Sequence, residues 1–208
     1  MEKFVINIGR QLGSGGRAIG HILADALGIA YYDKEILTLA AKESGFSEDL
    51  FVRNDERKGF FRSLFTTSVP LMGGNESIYS GGLSEENLFH LQSEAIRKAA
   101  SDHSCIFIGR CADYVLRDYP RCVNVFVSAD MPDRVARLCQ DRQIDERTAA
   151  RLCAKGDDKR AAFYNFYSAG RWGAASTYHL CINSSVLGIE GTAAYIKDFV
   201  ERRLALLS

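Results

Sequence analysis

The chain has 208 residues, of which 47% are hydrophobic, and its 26 basic side chains balance its 26 acidic ones. This length and composition predict one folded domain with a substantial core, and the balanced charge excludes long-range attraction to nucleic acid or to an anionic membrane. The six cysteines form no Cys-x-x-Cys pair and no apolar stretch approaches the roughly 18 residues of a membrane span, so we expect reduced thiols and a cytoplasmic protein.

The first predicted elements are a strand, a glycine-rich loop and a helix. An apolar run begins at Phe4, and the loop after it has glycine at Gly13, Gly15 and Gly16. Helical periodicity then continues to Leu27. Glycines let successive backbone N–H groups turn toward one point, and the helix adds the positive end of its dipole. The segment therefore predicts a loop that binds phosphate.

This loop departs from the Walker A pattern, Gly-x-x-x-x-Gly-Lys-Ser/Thr. When Gly15 is aligned with the second glycine, Gly16 stands in place of the lysine and Arg17 in place of the magnesium-binding hydroxyl. Arg10 stands in place of the first glycine. Such a loop keeps the backbone donors of a phosphate site and lacks its usual ammonium group.

Two other interpretations of the loop stay open. Gly13-x-Gly15-x-x-Ala18, with Asp33 about 20 residues later, also fits a dinucleotide-binding fingerprint. Four residues, Gly9 to Leu12, separate the strand from Gly13, however, and this longer loop favours wrapping a terminal phosphate. A plain strand-to-helix turn is the remaining possibility, although three glycines would cost backbone entropy that such a turn does not need.

The rest of the chain alternates strands with helices. A loosely patterned segment, about 36–100, is predicted as a helical insert on the acceptor side, with residues 47–82 as a mobile flap. Further strands are predicted at Ile29–Tyr32, Cys105–Gly109, Val123–Val127 and Leu180–Asn183, and helices from Ser84, after Asp130 and over Ile189–Leu207. This order predicts an α/β fold, a doubly wound parallel sheet of about five strands in a single domain spanning 1–208.

Polar residues at the carboxyl ends of these strands are candidates for ligand contacts. Arg110 offers a guanidinium fork for phosphate oxygens, and Asp33 offers a carboxylate for ribose hydroxyls or a base amine. Each also has a structural explanation. Arg110 could pair with Asp113 at a helix start, and Asp33 could cap a helix that begins near Glu35.

A stripe of cations follows the fourth strand and its helix. Arg147, Arg151, Lys155 and Lys159 recur at i, i+4 spacing, so a helix uninterrupted at Gly156 would place them on one edge. A solvated helix face is the usual meaning of such a stripe. Its position, about 142–172, is nevertheless where nucleotide kinases carry a closing lid, and phosphoryl transfer needs movable cations.

Taken together, these motifs resemble the cytidylate kinase-like family, a divergent relative of bacterial cytidylate kinase. The resemblance rests on Arg10–Arg17, Tyr31–Lys34, Ile108–Arg110, Val125–Asp130, Asp157–Arg160 and Tyr178–Asn183. It implies a P-loop nucleoside monophosphate kinase fold and transfer of the terminal phosphate of ATP, with Mg²⁺, to CMP or dCMP. No partner other than nucleotide substrates is expected, and the oligomeric state stays open.

The resemblance also implies roles for individual residues. Donor phosphates would be held by Arg10, Gly13, Ser14, Gly15, Gly16 and Arg17. The acceptor would be contacted by Asp33, Arg110, Asp157 and Arg160, and the lid charge would come from Arg147, Arg151, Lys155 and Lys159. We expect Arg17 to point toward the loop anion, and the alternative is a pair with an acid such as Asp157.

Two departures from proper cytidylate kinases bear on activity. The lysine that bridges the β- and γ-phosphates is absent, and Cys111 replaces the aspartate of the Gly-Arg-Asp motif. Magnesium would have Ser14, water or a carboxylate such as Asp33 as possible ligands. Two alternative functions therefore remain: a nucleotide- or phosphate-binding module without turnover, and a dinucleotide-binding oxidoreductase.

Overall fold

The computed structural model describes residues 2–33 and 85–207. It divides into two compact units, Met1–Asp33 with Ala99–Ser208, and Lys34–Lys98. The first unit contains the sheet and the glycine-rich loop. The predicted flap at 47–82 and the helix that Asp33 was expected to cap both lie outside the described residues.

Five parallel strands form a single sheet in the described part of the chain. They are β1 (Val5–Arg10), β2 (Ala30–Tyr32), β3 (Cys105–Ile108), β4 (Cys122–Ser128) and β5 (Leu180–Asn183). Their order is β2-β3-β1-β4-β5, and Val5 of the central strand pairs with Cys105 on one side and Cys122 on the other. The predicted parallel sheet is therefore confirmed, and the carboxyl ends of all five strands lie along one edge.

Six helices are described. They are α1 (Gly16–Leu27), α2 (Glu85–Asp102), α3 (Ala112–Val115), α4 (Met131–Arg142), α5 (Glu146–Tyr167) and α6 (Ser184–Ala205). Helix α5 continues through Gly156 without interruption, and Asp145 caps it by accepting a hydrogen bond from Thr148 N. Helix α6 breaks at Gly188, where φ is +69°, so the predicted helix from Ile189 corresponds to the longer part after the break.

The core that supports the sheet is aliphatic. All four residues of β3 are buried, as a continuous apolar run predicts for a central parallel strand. Helices α1 and α6 pack on the sheet through Ile19, Leu23, Ile196 and Val200, which lie against Ile6, Ile8, Ile106 and Val125. Each such side chain contributes about 1.5–3 kcal/mol by burial. The strand ends that carry the candidate site are thus held by a well-packed layer.

The described part of the chain also gives the state of the cysteines and the hydropathy of the helices. All six cysteines are free thiols in the structure. No helix in the described ranges is long and apolar enough to cross a membrane.

Candidate functional site

The glycine-rich loop joins the end of β1 to the start of α1, and the N–H groups of its three glycines are unused among the described residues. Gly13 and Gly15 have φ of +78° and +77°, a left-handed conformation that strains other residues. Within the described part of the chain, the N–H groups of Gly13, Gly15 and Gly16 make no hydrogen bond. These donors and the N-terminus of α1 provide favourable interactions for an anion.

The carbonyl groups of the loop are turned the other way, toward the helices behind it. Leu12, Gly13 and Ser14 each accept a hydrogen bond through the backbone oxygen. The donors are Arg134 Nε (2.7 Å), Arg137 Nη1 (3.0 Å) and Ser184 Oγ (2.7 Å). Because the carbonyls are held behind the loop, they do not oppose an anion at the amides.

Asp157 ties the loop to helix α5. Its Oδ1 accepts from Leu12 N at 2.7 Å, and its Oδ2 accepts from Arg134 Nη2. Gly156 permits this contact, since a Cβ there would lie 2.7 Å from Leu12 Cδ2. Both carboxylate oxygens thus hold the loop in place, while the acceptor contact predicted for Asp157 stays a prediction.

Asp33, at the end of β2, lies among arginines. Its Oδ2 is 2.7 Å from Arg17 Nη2, and its Oδ1 is 3.9 Å from Arg10 Nη2. The Asp33 side chain is 4% exposed and that of Arg10 is 12% exposed. Arg17 thus pairs with an acid, as the alternative from the sequence allowed, but the acid is Asp33 and not Asp157.

Arg110 and Arg160 add two more cations to this cluster. Arg160 Nη1 donates to the Arg10 carbonyl at 3.2 Å and lies 4.0 Å from Asp157 Oδ1. Burial, with Arg10 as the next cause, lowers the pKa of Arg160 to about 9 and also lowers the pKa of Arg110 well below its usual value. These shifts indicate buried guanidinium groups that repel one another, and an anion would relieve that repulsion.

The backbone at the end of β3 is unusual. Gly109, Arg110 and Cys111 have consecutive φ values of +72°, +68° and +54°. A left-handed conformation costs a non-glycine residue about 1–3 kcal/mol, and such strain concentrates at ligand sites. The carboxylate of Asp113, which the sequence offered as a partner for Arg110, accepts a hydrogen bond from the Tyr164 hydroxyl.

The sequence profile of the cytidylate kinase-like family matches residues 5–186. The chain belongs to this family. A protein from Eubacterium ventriosum ATCC 27560, described as uncharacterized, is 25% identical to it, with a TM-score of 0.71 and coverage of 96% of this chain and 99% of that chain. No curated protein sequence matches the chain.

Two kinases share the fold at lower identity. Shikimate kinase from Bacteroides thetaiotaomicron is 12% identical, with a TM-score of 0.53 and coverage of 95% of this chain and 98% of that one. A gluconokinase from Sinorhizobium meliloti 1021 is 11% identical, with a TM-score of 0.52 and coverage of 99% of both chains. This member of the cytidylate kinase-like family therefore has the fold of P-loop kinases.

The predicted lid cations lie on the solvent face of α5. Arg147, Arg151, Lys155 and Lys159 are all exposed. The opposite face of α5 packs on α4 and the loop through Ala149 and Cys153, against Leu12 and Leu138. Helical spacing of the stripe is thus confirmed, and its role as lid charge stays a prediction.

Sequence reasoning did not assign a site role to the residues that support the loop from behind. Arg134, Arg137 and Ser184 hold its carbonyls, and Gln11 Oε1 accepts from Ala129 N at 3.1 Å. Arg134 and Arg137 carried a signal, because two arginines at i, i+3 after a strand that ends at the binding edge can reach the same loop. Ser184 and Gln11 carried none.

The described side chains fit a polyphosphate better than a bare metal ion. Free amides and arginines suit phosphate, and the described residues contain no group of three or more His, Cys, Asp or Glu side chains placed to hold a metal. Of the magnesium ligands considered, Ser14 donates its hydroxyl to the Gln11 carbonyl at 2.9 Å, and Asp33 is paired with Arg17.

Proposed function

We propose that the chain is a phosphotransferase that moves the terminal phosphate of ATP to CMP or dCMP. The observation that carries this proposal is the cluster of Arg10, Arg17, Arg110 and Arg160 near Asp33, beside a loop with free amides. A loop with free amides accommodates one anionic group, and an excess of buried cations next to it accommodates a second.

The charge of the cluster supports a phosphorylated acceptor. A phosphate monoester carries up to two negative charges and three acceptor oxygens, which several guanidinium groups can share. When Arg134 and Asp157 are also counted, five guanidinium groups lie near two carboxylates, so an excess of positive charge remains at the strand ends. A nucleoside monophosphate, as the family name suggests, matches this excess.

The residues would act by positioning and electrostatics. ATP supplies the phosphoryl group, and Mg²⁺ would be held largely by phosphate oxygens and water, as it commonly is in kinases. The loop amides bind the donor phosphates, the arginines neutralise charge on the transferring group, and Asp33 orients Arg17 and Arg10.

A second function, nucleotide or phosphate binding without turnover, is favoured by one observation. Gly16 and Arg17 supply neither the ammonium nor the hydroxyl of the usual loop. Ground-state binding needs only the amides and fixed charge, whereas a kinase must also stabilise the transition state. Both functions therefore predict that the chain binds nucleotide or phosphate, and only the kinase function predicts turnover.

The test is an ADP-release assay with ATP, Mg²⁺ and a panel of CMP, dCMP, UMP, AMP, GMP, shikimate and gluconate. We expect CMP or dCMP to give the fastest acceptor-dependent release, and an Arg110→Ala variant to lose that dependence. ATP that raises the melting temperature with no acceptor-dependent release would support the binding module instead. Stabilisation by NAD(P) alone would support the oxidoreductase.

A further inference from the structure

Positions 10 and 16 have exchanged their residue types relative to the Walker A pattern. The pattern has glycine first and lysine seventh, whereas this chain has Arg10 and Gly16. A Cβ built on Gly16 would lie 2.7 Å from Arg10 Cβ and 3.0 Å from Arg10 Cγ. With this backbone, the stem of Arg10 occupies the space in which a side chain at position 16 would begin.

The far end of Arg10 reaches the end of β3. A Cβ on Gly109 would lie 1.9 Å from Arg10 Nη1, so the glycine at 109 makes room for the guanidinium. Arg10 thus extends from the first turn of α1, at the donor loop, to the strand end beside Arg110. A transferring phosphoryl group would have to pass between these two places.

The guanidinium of Arg10 has little to neutralise it. Its closest ion pair among the described residues is to Asp33, at 3.9 Å, and Asp33 has a closer pair with Arg17. Its Nε is buried and makes no hydrogen bond in the described part of the chain. A buried cation with an unused donor is costly unless a ligand supplies the missing acceptor.

We propose that Arg10 replaces the missing lysine, and that Gly16 is glycine because the arginine stem fills the place of the lysine stem. The proposal rests on the proposed function in one respect, that the bound anion is the terminal phosphate of a donor polyphosphate. A guanidinium can hold two oxygens of that phosphate as a fork, where an ammonium would act as a point charge.

The exchange makes the two positions interdependent, and a double-mutant cycle measures this. The four proteins are wild type, Arg10→Gly, Gly16→Lys and the double variant. Calorimetry measures their affinity for inorganic tripolyphosphate and for ATP, and thermal melting measures the stability of each protein. Arg10→Gly should weaken tripolyphosphate binding about 10- to 100-fold, the range for losing one hydrogen bond to a charged group. Adding Gly16→Lys to that variant should recover most of the loss.

When Arg10 is present, Gly16→Lys should have the opposite effect on affinity to the one that it has in the Arg10→Gly background. Because Arg10 still occupies the space, the lysine should lower both the melting temperature and tripolyphosphate affinity. Arg117→Ala serves as a control for the loss of one cation, since Arg117 is half-exposed, pairs with Asp118 and lies outside the site. It should leave tripolyphosphate affinity unchanged.

Two results would overturn the proposal. One is unchanged tripolyphosphate binding in Arg10→Gly, which can be read even when Gly16→Lys fails to fold. The other is equal improvement by Gly16→Lys with and without Arg10. A third result separates the two proposals. If Arg10→Gly loses tripolyphosphate binding but the wild type releases no ADP with any acceptor, the kinase function is refuted and the assignment of Arg10 is supported.

Discussion

The carboxylate of Asp157 is predicted to be the main support of the phosphate loop, and removing it should destabilise the protein. It accepts from the Leu12 amide and from Arg134, whose side chain is only 4% exposed. Asp157→Ala leaves that guanidinium buried without its partner, which typically costs 3–5 kcal/mol, and leaves an amide without its acceptor, about 1–3 kcal/mol.

These two costs do not add fully, because one carboxylate serves both donors and its side chain is 15% exposed, so water can reach the gap. We therefore expect Asp157→Ala to lower the free energy of unfolding by about 3–4 kcal/mol. Asp157→Asn keeps an oxygen for one donor and loses the charge, so about 2 kcal/mol is expected.

Urea unfolding followed by the fluorescence of Trp172 measures this loss. Trp172 is the single tryptophan of the chain and packs edge-on against Phe126 of β4, so it reports on the sheet. Asp158→Ala is the matched control, because Asp158 is the next residue on the same helix and is exposed. Its effect should stay within about 0.5 kcal/mol.

The same variants separate loop support from acceptor binding. A supporting role predicts that Asp157→Asn weakens ATP and tripolyphosphate binding while the ratio of acceptor KM to ATP KM stays near that of the wild type. Equal free energies of unfolding for Asp157→Ala and Asp158→Ala would refute a supporting role for Asp157. A rise confined to the acceptor KM would instead support the acceptor contact that the family resemblance implies.

Other predictions address the remaining parts of the site. Arg110→Ala should raise the acceptor KM far more than the ATP KM in steady-state assays, and a change in melting temperature alone would assign Arg110 a structural role. Arg17→Ala should cost about 1.5–3 kcal/mol of phosphate binding by calorimetry, since hydrogen bonds to charged groups are in that range, and unchanged binding would leave it only a partner of Asp33. Gly13→Ala should lower the free energy of unfolding by more than 1 kcal/mol in urea titrations, because the new Cβ would sit 2.7 Å from a backbone oxygen at φ +78°; a smaller loss would show that the loop can relax. Burial and then Arg203 lower the pKa of His179, so its contribution to stability should be full above about pH 6.5 and should be lost as the pH falls through the lowered pKa. His179→Gln should remove this pH dependence of the free energy of unfolding. An equal slope of that free energy against pH in both proteins would contradict it.

Local sequence signals predicted the regular elements well. Helix α1 spans Gly16–Leu27 as the periodicity predicted, and Gly28 ends it in a left-handed conformation with φ of +62°. Strand β5 also has its predicted bounds, and β4 is longer by one residue at each end. Each of these depends on neighbours within a few residues, so the sequence carries the information.

The contacts inside the site depended on the path of the loop backbone and could not be predicted in the same way. From the sequence, Asp157 was the acid named as a partner for Arg17, and only the fold brings Asp33, at the end of β2, to 2.7 Å from it. The sequence shows that Arg10 stands at a position where the Walker A pattern has glycine. It does not show that a Cβ at position 16 would overlap with the stem of Arg10, because that depends on the loop conformation. The predicted helix begins at Ile189, after the break at Gly188, and what was not predicted is the short helical stretch before that break, which starts at Ser184.

The support that α6 gives to the loop has a consequence for synthesis on the ribosome. Ser184 donates to the Ser14 carbonyl across 170 residues of sequence, and Ile189 fills the space where a Cβ of Gly15 would lie. At typical translation rates those residues follow the loop by about 10 to 30 s. During that interval the loop lacks its rear support, so a nascent chain should acquire nucleotide affinity only after α6 has emerged and docked.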